Sequence, residues 1–409
     1  MAKAKSFILR TSKSKGEVVL NFVLVSRDEE LKGVLKRGIP EYPDVYVFDS
    51  IDDASLAVKD VAVVLLDGKC VVADDFEKVR QGYPETEIIY TMHNIKANVI
   101  SKHLQMLAMA HSVDLIGEHR TADQIVKQVR KILFKESDAS SRRIVSFFGT
   151  HSGAGVSTTT LNISKLLGNK IAGDVLLITL NPWDSGDYHY NYKKKNLNDL
   201  KVDLRGKSLN PERLKDACNY YDKTFYHLAG NKDIKLQRYF TNEEIDYLLH
   251  VALKTFELVI VDGGAHFDTA ATTQAYIQGG SRFLITTQEQ KGYRGNFPLV
   301  FDQLIKPTGG TSEDFGLIVN QYEPDSNLPS DSDISSELGM AKIVTIPDVG
   351  KLSKIASYQE KMLVDMGKSI YLEPLTTLAN YIIKASGVKE DVSEKSEKKS
   401  SKKSWALWG

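Results

Sequence analysis

A chain of 409 residues is too long for one ordinary hydrophobic core, so two domains with connecting segments are expected. Hydrophobic residues make up 42% and charged residues 26%, the balance of a soluble globular protein, and no apolar run reaches the roughly 20 residues that cross a bilayer. Lysine plus arginine equals aspartate plus glutamate at 53 each, which excludes whole-chain electrostatic attraction to nucleic acid or lipid and leaves only local patches for such contacts.

The first stretch, MAKAKSFILRTSKSKGE, is basic but has no apolar core long enough for a secretory signal. From about residue 17 to 135, strand-like and helix-like runs alternate. Residues 18–25 and 45–48 are β-rich, and 28–36 and 51–58 have short helical patterns. VAVVLL (61–66) is a continuous apolar run, as in a parallel strand covered on both faces; 87–90 and 113–116 add two more strands. Ile125, Val126, Val129, Ile132 and Leu133 then recur at helical spacing within 122–134. This alternation predicts a small doubly wound α/β domain over 1–135.

ESDASSRR (136–143) reads as a linker, and a second α/β domain is expected over 144–386, with strands at 144–148, 175–179, 258–261, 283–286 and 317–320. From 387 to 409 the composition turns to lysine, serine and glutamate, predicting a disordered basic tail that closes on Trp405, Leu407 and Trp408. Lysines for anionic lipid and tryptophans for its interface would make that tail a weak membrane or partner tether. Cys70 and Cys218 are far apart and read as reduced thiols of a cytosolic protein.

The richest stretch is IVSFFGTHSGAGVSTTTLNIS (144–164): an apolar strand, a glycine-bearing turn and a Ser/Thr-rich helix start. A strand running through such a turn into a helix aims backbone N–H groups and the positive end of the helix dipole at one small volume, which favours an anion. Gly149, Gly153 and Gly155 suit the turn, and Ser157 occupies the place of a hydroxyl that ligates Mg²⁺, with Thr158 behind it. LVIVD (258–262) is an apolar strand ending in Asp262, a second Mg²⁺-shell candidate, and Gly263–Gly264 reads as a mobile turn after it. From the residues alone, an ordinary strand–helix turn without ligand stays open beside nucleotide binding.

These motifs resemble the ParA/MinD superfamily of deviant Walker ATPases over 144 to about 385, and the resemblance implies a parallel-sheet P-loop domain. The family loop falls on His151, Ser152, Gly153, Ala154, Gly155, Val156, Ser157 and Thr158; the segment GLIVNQYE is similar to the adenine-side strand, with Asn320 at the base-reading position. Leu338, Gly339, Ile346, Pro347 and Asp348 match a late signature. The implied nucleotide contacts are Gly149, His151, Gly153, Ala154, Gly155, Val156, Ser157, Thr158 and Asn320, with ATP or ADP as cofactor and Mg²⁺ on Ser157 and Asp262.

The departures are equally informative. The family's partner-reaching lysine is His151, which reads here as a surface loop histidine, and the Walker lysine is Val156. The two aspartates of the second strand are Thr179 and Asn181. Without the lysine there is no charge-assisted hydrogen bond to the β- and γ-phosphates, so efficient hydrolysis is not expected and no catalytic residue is assigned.

The pairing with a small N-terminal α/β domain resembles the TadZ/CpaE branch, in which an atypical receiver domain precedes a MinD-like ATPase. Asp67 stands at the phospho-acceptor position and Thr91 at the fourth-strand hydroxyl, but Ser26 and Arg27 replace the metal-binding acidic pair and Glu118 and His119 lie where a lysine would. The resemblance therefore implies a flavodoxin-like pseudo-receiver. It further implies a homodimeric, nucleotide-responsive assembly factor for Tad (Flp) pilus or related secretion machinery, cytoplasmic or peripheral at the inner face of the membrane or a pole. A ParA-type DNA-partition ATPase and a nucleotide-free scaffold are the alternatives. DNA is not an expected partner, because YHYNYKKK (188–195), with Lys193, Lys194 and Lys195, reads as a solvated loop.

Overall fold

The computed structural model describes residues 21–58, 60–93, 98–134, 141–188 and 191–391. They form two compact units: one within 1–95, 99–116 and 122–133, the other from 134 onward together with 96–98 and 117–121. Val18 of the first expected strand, residues 136–140 of the expected linker, and Trp405 and Trp408 lie outside the described residues.

In the first unit, five strands make one parallel sheet: β1 (Asn21–Val25), β2 (Val45–Phe48), β3 (Val61–Asp67), β4 (Glu87–Thr91) and β5 (Val113–Ile116), in the order β2-β1-β3-β4-β5. That is the flavodoxin-like doubly wound order. Helices α1 (Glu29–Gly38), α2 (Ile51–Ala57), α3 (Phe76–Gly82), α4 (Asn98–Ala110) and α5 (Ala122–Phe134) alternate with them. Asp28 starts α1 by accepting the Leu31 amide at 3.1 Å; Glu29 and Glu30 in the first turn and Lys36 and Arg37 in the last complement the helix dipole. Sequence reasoning missed α3 and α4. In α3 only Phe76 and Val79 are buried, too few to show a period.

The second unit centres on β6 (Ile144–Gly149), all of it buried, followed by α6 (Val156–Gly168) and β7 (Val175–Thr179). Two short helices, α7 (Lys201–Arg205) and α8 (Pro211–Ala217), precede the hairpin of β8 (Asn219–Asp222) and β9 (Phe225–Leu228). Then come α9 (Asn242–Thr255), β10 (Leu258–Asp262), α10 (Ala270–Gln278) and β11 (Ser281–Thr286). The segment 291–305 is helical, with wide turns on either side of α11 (Phe297–Val300). β12 (Phe315–Tyr322), α12 (Asp331–Leu338), β13 (Ala341–Pro347), α13 (Lys351–Tyr358) and α14 (Ser369–Ser386) complete it.

The eight strands run β13-β12-β11-β6-β10-β7-β9-β8, all parallel except the short edge strand β8. Successive β6 residues feed opposite cores: Ile144 and Phe148 join one with Leu248, Phe256 and Phe315, while Val145 and Phe147 join the other with Ile163, Leu375 and Ile382. A strand sandwiched this way is apolar along most of its length, which is why 144–148, 175–179 and 258–262 stood out in the sequence. Residues 387–391, assigned to the tail by composition, instead pair with this unit. Ile171 bridges Glu390, the Ala172 amide donates to Lys389 O at 3.0 Å, and Val388 is buried.

Candidate functional site

The loop leaving central strand β6 is anchored on both neighbouring strands. The Gly149 amide donates to Gly264 O beyond β10 at 2.8 Å, and the Thr150 amide to Ile285 O of β11 at 2.9 Å. The chain then turns through Gly153 (φ 92°) and Gly155 (φ 96°), left-handed conformations that strain any residue with a Cβ. A Cβ on Gly153 would meet nothing within 4 Å, so its backbone lies open to close approach. The first bond into α6 is from Thr159 N–H to Gly155 O at 3.0 Å. The amides of Val156, Ser157 and Thr158 therefore precede any helical acceptor and point out of the helix start, an anion-attracting arrangement.

Beside this cradle, Ser157 Oγ donates to Asp262 Oδ2 at 2.6 Å, joining two residues 105 positions apart. Asp262 ends β10, next to Phe147 of β6, and is 1% exposed. Burial pushes its carboxyl up to about 6, against the lowering effect of hydrogen bonds from Ser157 and the Gly264 amide, with the Asp184 charge raising it further. Gly263 and Gly264, expected to form a mobile turn, are pinned. Their amides donate to Phe147 O (2.9 Å) and Asp262 Oδ1 (2.9 Å), and Gly264 O accepts from Gly149.

The fold sets the surroundings of Val156, His151 and Asn320. Val156 folds back against Gly149 and shares an apolar cluster with Phe147 and Ala154, so the place of a lysine stem is taken by packed hydrocarbon. His151 is buried at 6% exposure, correcting the expectation of a surface histidine: its Nδ1 lies 3.0 Å from Thr150 Oγ1 and its Nε2 3.9 Å from Glu289. Burial holds its imidazole below the ordinary pKa despite Glu289, so neutral pH leaves it uncharged. Asn320 reaches the loop itself, its Nδ2 donating to Ala154 O at 2.8 Å, and the neighbouring Gln321 Nε2 donates to Gly153 O at 3.3 Å. Both amides clamp the loop backbone; Thr158 is exposed on the first turn.

On the far side of Asp262, Thr179 Oγ1 sits 3.0 Å from Nε2 of the fully buried His227, and Asn181 Oδ1 caps the Trp183 amide at 3.1 Å. Asp184 accepts the Tyr188 hydroxyl at 2.9 Å. Sequence reasoning missed His227 and Asp184 because neither stands in a motif, and passed over Gln321 beside Asn320 in GLIVNQYE; the loop NPWDSGD had offered only its polarity. The lysines of the 188–195 segment, Lys193 to Lys195, are solvent-exposed.

A hard divalent cation takes oxygen donors, and the hydroxyl of Ser157 beside the buried carboxylate of Asp262 supplies two. With the outward amides of α6 and the open Gly153 backbone, these residues fit a Mg²⁺–phosphate group. Among the described residues, no lysine or arginine side chain bonds to residues 149–158.

In the first unit, Asp67 ends β3 at 4% exposure. Ser26 Oγ donates to its Oδ2 at 2.6 Å and the Lys69 amide to its Oδ1 at 3.0 Å, while Lys69 Nζ is paired with Asp28 at 2.9 Å. Thr91 Oγ1 is 3.4 Å from Oδ1. Both carboxylate oxygens are thus held, Oδ2 by Ser26, which stands where the acidic pair would be, and Oδ1 by the Lys69 amide.

No family model matches the sequence, and no curated protein matches it. Solved structures do. A ParA-family ATPase from Chlorobium tepidum is similar at 17% identity over 58% of this chain and 98% of that one, with a TM-score of 0.51. The septum site-determining protein MinD of Pyrococcus horikoshii, solved with Mg-ADP, is 18% identical over 60% of this chain and 97% of its own, with a TM-score of 0.47. At such identity the first likeness is one of fold: the chain contains a parallel-sheet α/β fold like that of the ParA-family ATPase.

Proposed function

We propose that the chain is a nucleotide-binding assembly and positioning factor similar to TadZ/CpaE, serving Tad pilus or related secretion machinery, in which the nucleotide is a structural ligand. The observation that carries this reading is the Ser157–Asp262 pair at 2.6 Å, set at the mouth of a glycine loop whose first helical amides point outward. The amides of Gly153 and of Val156 to Thr158 would hold phosphate oxygens, and Ser157 and Asp262 would hold Mg²⁺, which supplies charge neutralisation when bound. Asn320 and Gln321 keep the loop in shape from behind.

Turnover has little support. Val156 offers no cation, Thr179 is committed to His227, and Asn181 is no carboxylate to orient an attacking water. Ligand energy would instead shift a homodimer or partner equilibrium by its difference between states. The first unit would serve as a docking module of receiver type whose Asp67 is not phosphorylated. Peripheral membrane association at a pole belongs to the same proposal. Among the described residues no helix is long and apolar enough to cross a membrane.

The test is calorimetry with ADP and ATP in Mg²⁺ on the full chain, beside Ser157→Ala and Asp262→Ala, followed by a turnover assay and light scattering. Binding lost in both variants, without turnover in the parent and with a change in mass on binding, is the expected result. Binding of neither nucleotide by the parent would make the chain a scaffold that uses the fold for its shape alone.

A further inference from the structure

The helical segment 291–305 is wound with wide i→i+5 turns at 291–296 and 301–305, a form that is rare and concentrates at functional positions. It spaces Tyr293, Phe297 and Phe301 four residues apart. With Leu338 of α12 and Met340 just beyond it, these rings line a cavity of about 310 Å³. Close-packed interiors hold few gaps larger than a water molecule, and a space of this volume walled by aromatic and aliphatic side chains has the size and character of a small-ligand pocket. Its charged lining is matched internally: Arg294 Nε pairs with Glu337 at 2.6 Å, both side chains partly exposed, and ties the segment to α12. Such walls suit an uncharged occupant.

One polar atom of the lining residues is unmatched. Tyr293 is 1% exposed, and its Oη is buried with no hydrogen-bond partner among the described residues. A buried hydroxyl left unpaired is costly, and a bound group that hydrogen-bonds to it recovers that cost. The same turn also touches the phosphate loop. A Cβ on Gly292 would lie 2.5 Å from His151 Nδ1, and Asn296 Nδ2 donates to Thr150 O at 2.9 Å. A molecule held against Tyr293 and Phe297 therefore bears on the turn that supports Thr150 and His151.

We infer that this cavity is a ligand site separate from the phosphate loop. It takes a small, uncharged aromatic molecule of one or two rings, with a single hydrogen-bonding group that meets Tyr293 Oη. Its occupancy steadies the phosphate loop through Gly292 and Asn296. The site stands or falls independently of nucleotide binding, because none of its lining residues belongs to the Ser157–Asp262 group.

The probes are indole and indene, which share a shape and differ by the N–H, titrated by calorimetry into the full chain, Tyr293→Phe and Leu338→Trp. The parent is expected to bind indole about threefold to tenfold more tightly than indene, the worth of one hydrogen bond. Tyr293→Phe should bind both equally. Without ligand it should melt no lower than the parent, since it deletes an unpaired hydroxyl. Leu338→Trp, at a half-buried position, fills the cavity and should bind neither. Amide hydrogen exchange over 149–155 should slow when indole saturates the parent. No binding of either probe by the parent overturns the site. Equal binding of the two by the parent, an indole preference that survives in Tyr293→Phe, or a lower melting point of that variant overturns the hydroxyl as the recognition group. Tighter binding of N-acetyltryptophanamide than of indole overturns a free small molecule as the occupant in favour of a side chain presented by a protein. Unchanged exchange over 149–155 overturns the link to the loop.

Discussion

Gly155→Ala strikes the point where loop and sheet edge meet. The residue sits at φ 96°, ψ 24°, where an L side chain costs about 1–2 kcal/mol in backbone strain. The added Cβ would also lie 2.2 Å from Asn320 Nδ2. Reaching ordinary van der Waals contact needs a displacement of about 1.2 Å, which breaks the buried 2.8 Å bond to Ala154 O and leaves a donor and an acceptor short of partners, about 1–3 kcal/mol more. The total, about 2–5 kcal/mol, lowers the melting point of a unit this size by roughly 10 °C. A double-mutant cycle isolates the contact. In an Asn320→Ala background only the backbone strain remains, so Gly155→Ala should cost about 1–3 kcal/mol less than in the parent. Thermal denaturation of the four proteins, followed by circular dichroism, reads both numbers. An equal cost in the two backgrounds would mean that Asn320 does not rest against the loop, and the clamp would be wrong.

Asp262→Asn tests the buried carboxyl. With a folded pKa of about 6 against 3.8, the neutral form is the one the fold favours, so stability present below pH 3.8 is lost as pH rises through 6, about 3 kcal/mol in all. The variant should therefore melt above the parent at pH 8 without Mg²⁺ and lose that advantage near pH 4; a pH-independent difference refutes the shift. Ser26→Ala removes a donor from enclosed Asp67 and should destabilise the first unit by about 1.5–3 kcal/mol, read by chemical denaturation with probes in that unit; no change would show that the carboxylate is solvated. Ser157→Ala should leave the unfolding free energy within about 1–2 kcal/mol of the parent while abolishing Mg²⁺-dependent stabilisation by ADP, and retention of that stabilisation would remove Ser157 from the cation shell.

Strands buried on both faces were legible because burial leaves them no polar positions. β6, β7 and β10 carry their whole length in apolar residues, apart from Ser146, Gly149, Thr179 and Asp262. The hairpin β8–β9 was not, since NYYD and FYHL mix aromatic, acidic and histidine side chains, and the ring nitrogens of buried His227 face the hydroxyls of Thr179 and Tyr221. The late strand β13, AKIVTIP, went unread for a related reason. Its burial is partial, and its pairing with β12 shifts register twice, so no clean alternation survives.

For the site, local spacing was enough to place a glycine turn between a strand and a helix and to reveal a valine where a lysine belongs. Those are properties of adjacent residues and survive without a fold. Whether Ser157 meets Asp262, which way His151 turns and what Asn320 holds depend on chain segments more than a hundred residues apart, brought together by the parallel order of β12, β11, β6 and β10. A side chain's charge and hydrogen-bond partners are set by what packs around it. Folding therefore decided that the histidine is buried and neutral, that the asparagine is a clamp, and that the aspartate is costly to ionise.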